Sequence, residues 1–197
     1  MPNWCCSKFV FYGNQEDVHD FATRVQQYID RPPIREHADR NWIGSVVEGF
    51  GLDYRSLSCS GTIDNCYETE AEGSLDASFT IETTTAWEPM VDTWETIISH
   101  AYDDRLQYVY LSEEPGMGIF INTDDSGDYL PEHWLVDMAA DGHEIYEYFD
   151  DSDEMLDYMS VELGRYFHTL KELYKYADNI NNSGTDGFCS IHEFINE

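Results

Sequence analysis

Apolar and polar positions change period along the chain, and each change marks an element. "SKFVFYG" (7–13) is a β-prone run closed by Gly13 and predicts a strand. In the following "NQEDVHDFATRVQQYID", Val18, Phe21, Ala22, Val25 and Ile29 recur at helical spacing. Asn14 is placed to cap that helix, Glu16 and Asp17 lie at its positive dipole end, and "RPP" stops it. "NWIGSVVEGFG" predicts a short helix ended by Gly51, and "SCSGTIDNCYETE" and "LDASFTIETTTAW" predict two strands. In the second of these, Thr80, Glu82 and Thr84 alternate with Phe79, Ile81 and Thr83, as a sheet with one wet face requires. Pro89 then opens a helix that turns Val91, Trp94, Ile97, Ile98 and Ala101 inward, and "LQYVYLSEE" is a fourth strand.

Strand, helix, strand, strand, helix, strand is the order of the ferredoxin-like split βαβ plan, so an α+β fold with a βαββαβ core is expected. "MGIFINTDD", "HWLVDMA" and "EIYEYF" predict three further strands, the last two joined by the turn "ADGH" and all widening the sheet as an antiparallel meander. From Ser152 to about Ile180 one long helix is expected, with Leu156, Met159, Leu163, Phe167, Leu170, Leu173, Ala177 and Ile180 on its buried face. The tail "NNSGTDGFCSIHEFINE" is polar, then weakly apolar. These elements suggest a ferredoxin-like domain with its sheet extension over 1–150 and a C-terminal helix and tail over 151–197.

Several segments, in order, carry a resemblance: "MPNWC" leading into "FVFYG", "NWIGSVVEGFG", "TTTAWEP" before a helix, and "YLSEEPGMGIF". Together they resemble the YubB-like family of plasmid- and phage-borne proteins over roughly residues 1–140. The resemblance implies a ferredoxin-like fold on a mobile element and no established reaction, cofactor or catalytic residue. Cys6 stands where that family commonly has a polar residue, and the chain beyond Asp141 is an addition to it.

Charge changes the picture most. The 197 residues hold 40 Asp and Glu against 10 Lys and Arg, a formal net charge of −30, yet 15% are aromatic, too many for a disordered acidic tail. Nucleic acid and anionic membrane are poor partners for such a surface; basic proteins and cations are better ones. Arg31, Arg35 and Arg40 form the one basic island, read as a solvated loop. The start of the chain has no basic region ahead of an apolar run, no stretch reaches membrane-spanning length, and Cys5, Cys6, Cys59, Cys66 and Cys189 form no framework. A reduced, cytoplasmic chain is expected.

Chemical motifs are scarce. No Cys-x-x-Cys is present, so the cysteines predict half-buried thiols rather than a metal site. An EF-hand reading from Asp137 matches Asp141 and Gly142 but meets Ala139 and Tyr148 where ligands belong, and "NTDDSGD" lacks the ligand spacing. Glu132–His133 and His143–Glu144 are adjacent strand residues on opposite faces and cannot cooperate as acid and base. "EEPGMG" reads as a turn. Tyr108 with Tyr110, or Tyr146 with Tyr148, could stack bases, but acids surround them. No catalytic residue, metal site or cofactor is expected.

Between Arg55 and Arg165 the only basic residue is Arg105, while 27 acids fall in that interval. The densest stretch, "EIYEYFDDSDEMLD", alternates acids with rings. Thirty charges at about 1.7 Å each match about 51 Å of duplex. A compact chain of this length has a radius of gyration of about 16 Å and a diameter of roughly 40 Å. The expectation is an interaction face made of Glu144, Glu147, Asp150, Asp151, Asp153, Glu154 and Asp157, mimicking DNA toward a basic nucleic-acid-handling or defence protein of the host. The alternative is a non-catalytic accessory protein whose acidity serves solubility or salt adaptation, which the presence of Lys only at 8, 171 and 175 also fits.

Overall fold

A computed structural model describes residues 3–32, 38–73, 75–184 and 186–196. Among them the chain is a mixed α/β fold with five α-helices and antiparallel sheets, and it divides into two compact units, Met1–Ile121 and Asn122–Glu197. Of the basic island, Arg35 lies outside the described residues, and Arg31 stacks over the Tyr28 ring.

The first unit is built on β1 (Trp4–Gly13), β2 (Gly61–Thr69), β3 (Ala77–Ala86), β4 (Gln107–Glu114) and β5 (Ile119–Asn122), in the sheet order β2-β3-β1-β4-β5. β1 runs antiparallel between β3 and β4, with Phe9 opposite Ile81 and Tyr110, and Phe11 opposite Phe79 and Tyr108. Cross-strand partners share a face, so these side chains form one apolar surface. Onto it α1 (Gln15–Asp30) lays Val18, Phe21, Ala22 and Val25, and α3 (Val91–Tyr102) lays Trp94, Ile97 and Ile98. Phe21 meets Phe11 edge-on at 4.9 Å and Phe79 at 5.8 Å. Each such side chain contributes about 1.5–3 kcal/mol by leaving water. The Asn14 side chain caps α1 by accepting from the Asp17 amide at 3.0 Å. α2 (Ile43–Gly49) ends ahead of Gly51, whose φ of +84° only glycine adopts readily. Two local expectations shift: α3 starts at Val91 after Met90 rather than at Pro89, and Thr80, on an interior strand, is buried rather than wet.

The second unit holds β6 (Trp134–Ala140), β7 (His143–Phe149), α4 (Ser152–Glu162), α5 (Leu170–Asn181) and β8 (Phe188–Glu193). Its sheet has the order β7-β6-β8, with both pairings antiparallel. Of the three strands expected to widen the first sheet, only β5 does so; β6 and β7 form a second sheet, and the tail supplies its third strand. The chain divides after Ile121, not at 150, because Ile145 and Phe149 share a core with Met155, Leu156 and Met159 and so bind β7 to α4.

The single long C-terminal helix is not seen. α4 stops at Glu162, Gly164 takes φ +58°, and the Gly164 and Arg165 amides donate to the Val161 and Ser160 carbonyls. α5 then begins afresh at a T-x-x-E start: Thr169 Oγ1 accepts from the Glu172 amide at 3.3 Å, and the Glu172 carboxylate accepts from the His168 amide at 2.8 Å. The apolar spacing runs through the break because Met159, Phe167, Leu173 and Ile180 all reach the same core. A Cβ at Gly164 would meet nothing within 4 Å, so only the left-handed backbone opposes a larger residue there. Gly164→Ala is expected to lower the urea unfolding free energy by about 1 kcal/mol, with Gly164→Asn losing less.

Candidate functional site

The β6–β7 hairpin turns on Asp141 and Gly142, with φ +53° and +85°, the two left-handed residues that a type I′ turn needs. This turn sets the register: Leu135 faces Tyr148, Asp137 faces Tyr146 and Ala139 faces Glu144. Strand alternation then sorts the side chains. Ile145 and Phe149 enter the core under α4 and α5, and Glu144, Tyr146 and Tyr148 take the other side. Tyr146 is 51% exposed and Tyr148 38%. Their rings meet edge-on at 5.9 Å, and Tyr148 stacks on Phe194 at 6.1 Å. Phe188, 41% exposed, joins this side through its pairing with Ala139. Asp137 and His192 lie on it too. Burial raises the Asp137 carboxyl above its usual range and His192 only partly offsets this; burial likewise lowers the His192 imidazole.

All seven acids of the expected interaction face are exposed, but they do not form one row. Glu144 alone shares the side of Tyr146 and Tyr148. Glu147 points the other way, near enough to Tyr158 to help raise its phenol, behind burial and Glu162. Asp150 and Asp151 lie in the link to α4. Asp151 caps that helix, its Oδ1 accepting from the Asp153 and Glu154 amides at 2.8 Å each. Asp153 and Glu154 fill the first turn, where the helix dipole favours acids, and Asp157 follows one turn later. The two units share the charge unequally: 19 acids against three bases over 122–197, and 21 against seven over 1–121.

Other candidates resolve into structure. Tyr108 and Tyr110 belong to the first unit's core side, Tyr110 with its ring 5.3 Å from Phe9 and Tyr108 donating to Glu95 at 2.7 Å, so neither is an open stacking platform. The stretch from Asp137 that fails the EF-hand pattern is the hairpin itself. Cys5, Cys59 and Cys189 are buried, and burial pushes each thiol up to about 11. Among the described residues no group of three His, Cys, Asp or Glu could hold a metal ion. "EEPGMG" is a turn in which the buried Glu114 carboxylate accepts from the Gly116 and Met117 amides. His19 pairs with Glu68 at 3.1 Å beside Gln15, Glu16 and Glu70, in an open groove.

The loop "NTDDSGD" folds around Asp124, which is buried. Its carboxylate accepts from the Ser126 hydroxyl at 2.7 Å and from the Ser126, Tyr129 and Leu130 amides at 3.2, 2.7 and 2.9 Å. Those donors fill the oxygens that a cation would need.

No family model, characterised protein or solved structure matches the chain.

Burial pushes the Asp124 carboxyl up, but its hydrogen bonds outweigh that and hold it below the usual carboxylate range. A depressed folded pKa stabilises above the unfolded value, about 3.9, and the contribution is lost as pH falls through the folded value. Asp124→Asn is therefore expected to cost about 1–3 kcal/mol at pH 7. In urea titrations that gap should shrink steadily below about pH 4.

Proposed function

We propose that this chain is a non-catalytic, strongly acidic interaction protein whose carboxylates stand in for nucleic-acid phosphates on a basic nucleic-acid-handling or defence protein of the host. The observation that carries the reading is the charge of the second unit, −16 over 76 residues, with exposed acids and exposed rings side by side on β7. A surface of that sign steers basic proteins toward itself over about a Debye length and repels DNA and anionic lipid.

The fold reading that goes with this is a ferredoxin-like first unit. It is supported by the strand order β2-β3-β1-β4, with α1 linking β1 to β2 and α3 linking β3 to β4. YubB-like kinship, and with it a plasmid or phage setting, rests on the ordered segments from "MPNWC" to "YLSEEPGMGIF". A cytoplasmic location accords with this setting. Among the described residues no helix is long and apolar enough to cross a membrane.

The second reading, acidity for solubility or salt adaptation, is favoured by one observation: the first unit is acidic as well, at −14 over 121 residues. The two differ in salt response. The interaction reading expects capture from host lysate of one nucleic-acid enzyme at low salt, released by added salt and by competing duplex DNA. Salt adaptation expects no such capture and unfolding when salt is removed.

Replacing Asp150, Asp151, Asp153 and Asp157 by Asn keeps a competent cap at 151 and removes four charges. The variant is expected to keep its circular dichroism and melting temperature within a few degrees, and to lose capture at a lower salt concentration than the parent. Unaltered capture would take this segment out of the interface.

A further inference from the structure

We propose that one end of the first unit's sheet, where Trp4, Trp87 and Met117 stand in water, seats an arginine-bearing segment of a partner protein. The arginine side chains would lie along the two indoles, with Glu88 as counter-charge. This rests on the acidic interaction reading and deepens it by naming an anchor and what the partner presents to it.

The fold gathers three distant pieces of sequence at this end. Trp4 of β1 pairs with Ala86 of β3, and the Trp87 amide donates to the Asn3 carbonyl at 3.0 Å. Gly116, in the turn after β4, lies so close to Asn3 that a Cβ there would collide with the Asn3 side chain. Trp4 is 52% exposed, Trp87 48% and Met117 59%, and none belongs to the first unit's core. Among the described residues neither indole has a ring contact or a hydrogen bond from its N–H.

Trp87 is also held against its own preferences. Its φ of +76° is a left-handed backbone that a bulky side chain rarely adopts and that asparagine tolerates better. The Thr85 hydroxyl donates to the Glu88 carbonyl at 2.6 Å and fixes the bend. Backbone strain and the hydrophobic effect both oppose a tryptophan here, and the core does not include it. A contact outside the chain is what an indole so placed supplies.

Charge complementarity selects the occupant. Across the five strands of this sheet Lys8 is the only base, set opposite Glu82, while Asp64, Glu68, Glu82, Glu113 and Glu114 are acids. Exposed Glu88 follows Trp87 directly. A basic segment is drawn in, whereas a second copy of the chain is repelled by its like charge and a nucleic acid by its phosphates. Arginine suits an indole. Its weakly hydrated cation is attracted by aromatic rings, tryptophan most strongly, and its stem covers apolar surface while the head stays near carboxylates. The chain makes the same contact internally, with Arg24 over Phe50 at 4.2 Å and Arg31 over Tyr28 at 4.7 Å.

The test uses the full chain and two synthetic peptides, acetyl-Ser-Arg-Ser-Arg-Ser-amide and a twin with neutral citrulline for arginine, titrated at low salt with amide and indole NMR. The arginine peptide is expected to move the indole N–H signals of Trp4 and Trp87 and to leave those of buried Trp94 and Trp134 in place. It should bind about tenfold tighter than its twin. Trp4→Thr with Trp87→Asn keeps a strand former at 4 and puts at 87 a residue that tolerates the left-handed backbone. That variant should melt no lower than the parent yet bind the arginine peptide about tenfold more weakly. A melting temperature well below the parent's assigns the indoles to the fold and overturns the proposal. Equal binding by the variant, or shifts confined to other residues, overturns the anchor and leaves the acidic reading standing. Equal binding of the citrulline twin, or no binding of the arginine peptide, overturns both. Doubling of the chain's mass in solution, reversed in the variant, assigns this end to a second copy and overturns the proposal.

Discussion

Thirty net negative charges on 197 residues repel one another in every compact arrangement, so the structure depends on what offsets that repulsion. Ten basic side chains cannot do it by pairing. Arg105 bonds Asp17 at 3.0 Å and reaches Asp103 at 3.5 Å, and Arg24 lies within 3.7 Å of Asp20, but exposed pairs of this kind contribute little. The buried rings around Phe9, Phe11, Phe21, Phe79 and Trp94 stabilise the first unit far more, and Trp134, Phe149, Met155 and Leu173 do the same for the second. Trp94 sits so deep that its indole N–H is buried without a hydrogen-bond partner among the described residues, a polar cost that the packing offsets.

A second offset comes from the backbone. Where lysine and arginine are scarce, peptide amides take the role of counter-charge. Asp124 gathers three amides, Asp151 two at the start of α4, and Glu114 two in the turn after β4. Asp124 and Glu114 are buried as well, absorbed by local structure, and are poor candidates for partner contact, whereas Asp151 stays exposed while it caps α4. An acidic chain therefore has to be read residue by residue, because a carboxylate that caps a helix and one that waits for a partner are the same letter.

That distinction explains what was legible beforehand. Asn14 as a cap, Gly51 as a stop and Asp141–Gly142 as a hairpin turn act through one or two neighbours, and each appears as its residues predict. The break at Gly164 was hidden because the apolar period continues across it into a core shared by both helices. β8 was hidden because a six-residue strand with only Cys189 deeply buried carries almost no pattern of its own and is defined by pairing with β6. The site followed the same rule. Alternation along "EIYEYF" places Glu144 with the tyrosines and Glu147 opposite, whereas Phe188 and His192 reach that face only through the hidden strand.

Charge alone does not describe the face on β7. A solvating surface needs charge, and exposed Tyr146, Tyr148 and Phe188 work against it by keeping apolar area in water. The acids beside them have a different consequence. Like charge on an outermost strand discourages pairing with another copy. Under the proposed function, long-range charge and close contact divide the work of recognition. Carboxylates spread over the unit act at long range and raise the rate of encounter with any basic protein, a gain that salt erases. Close contacts act only after that, on how long the encounter lasts.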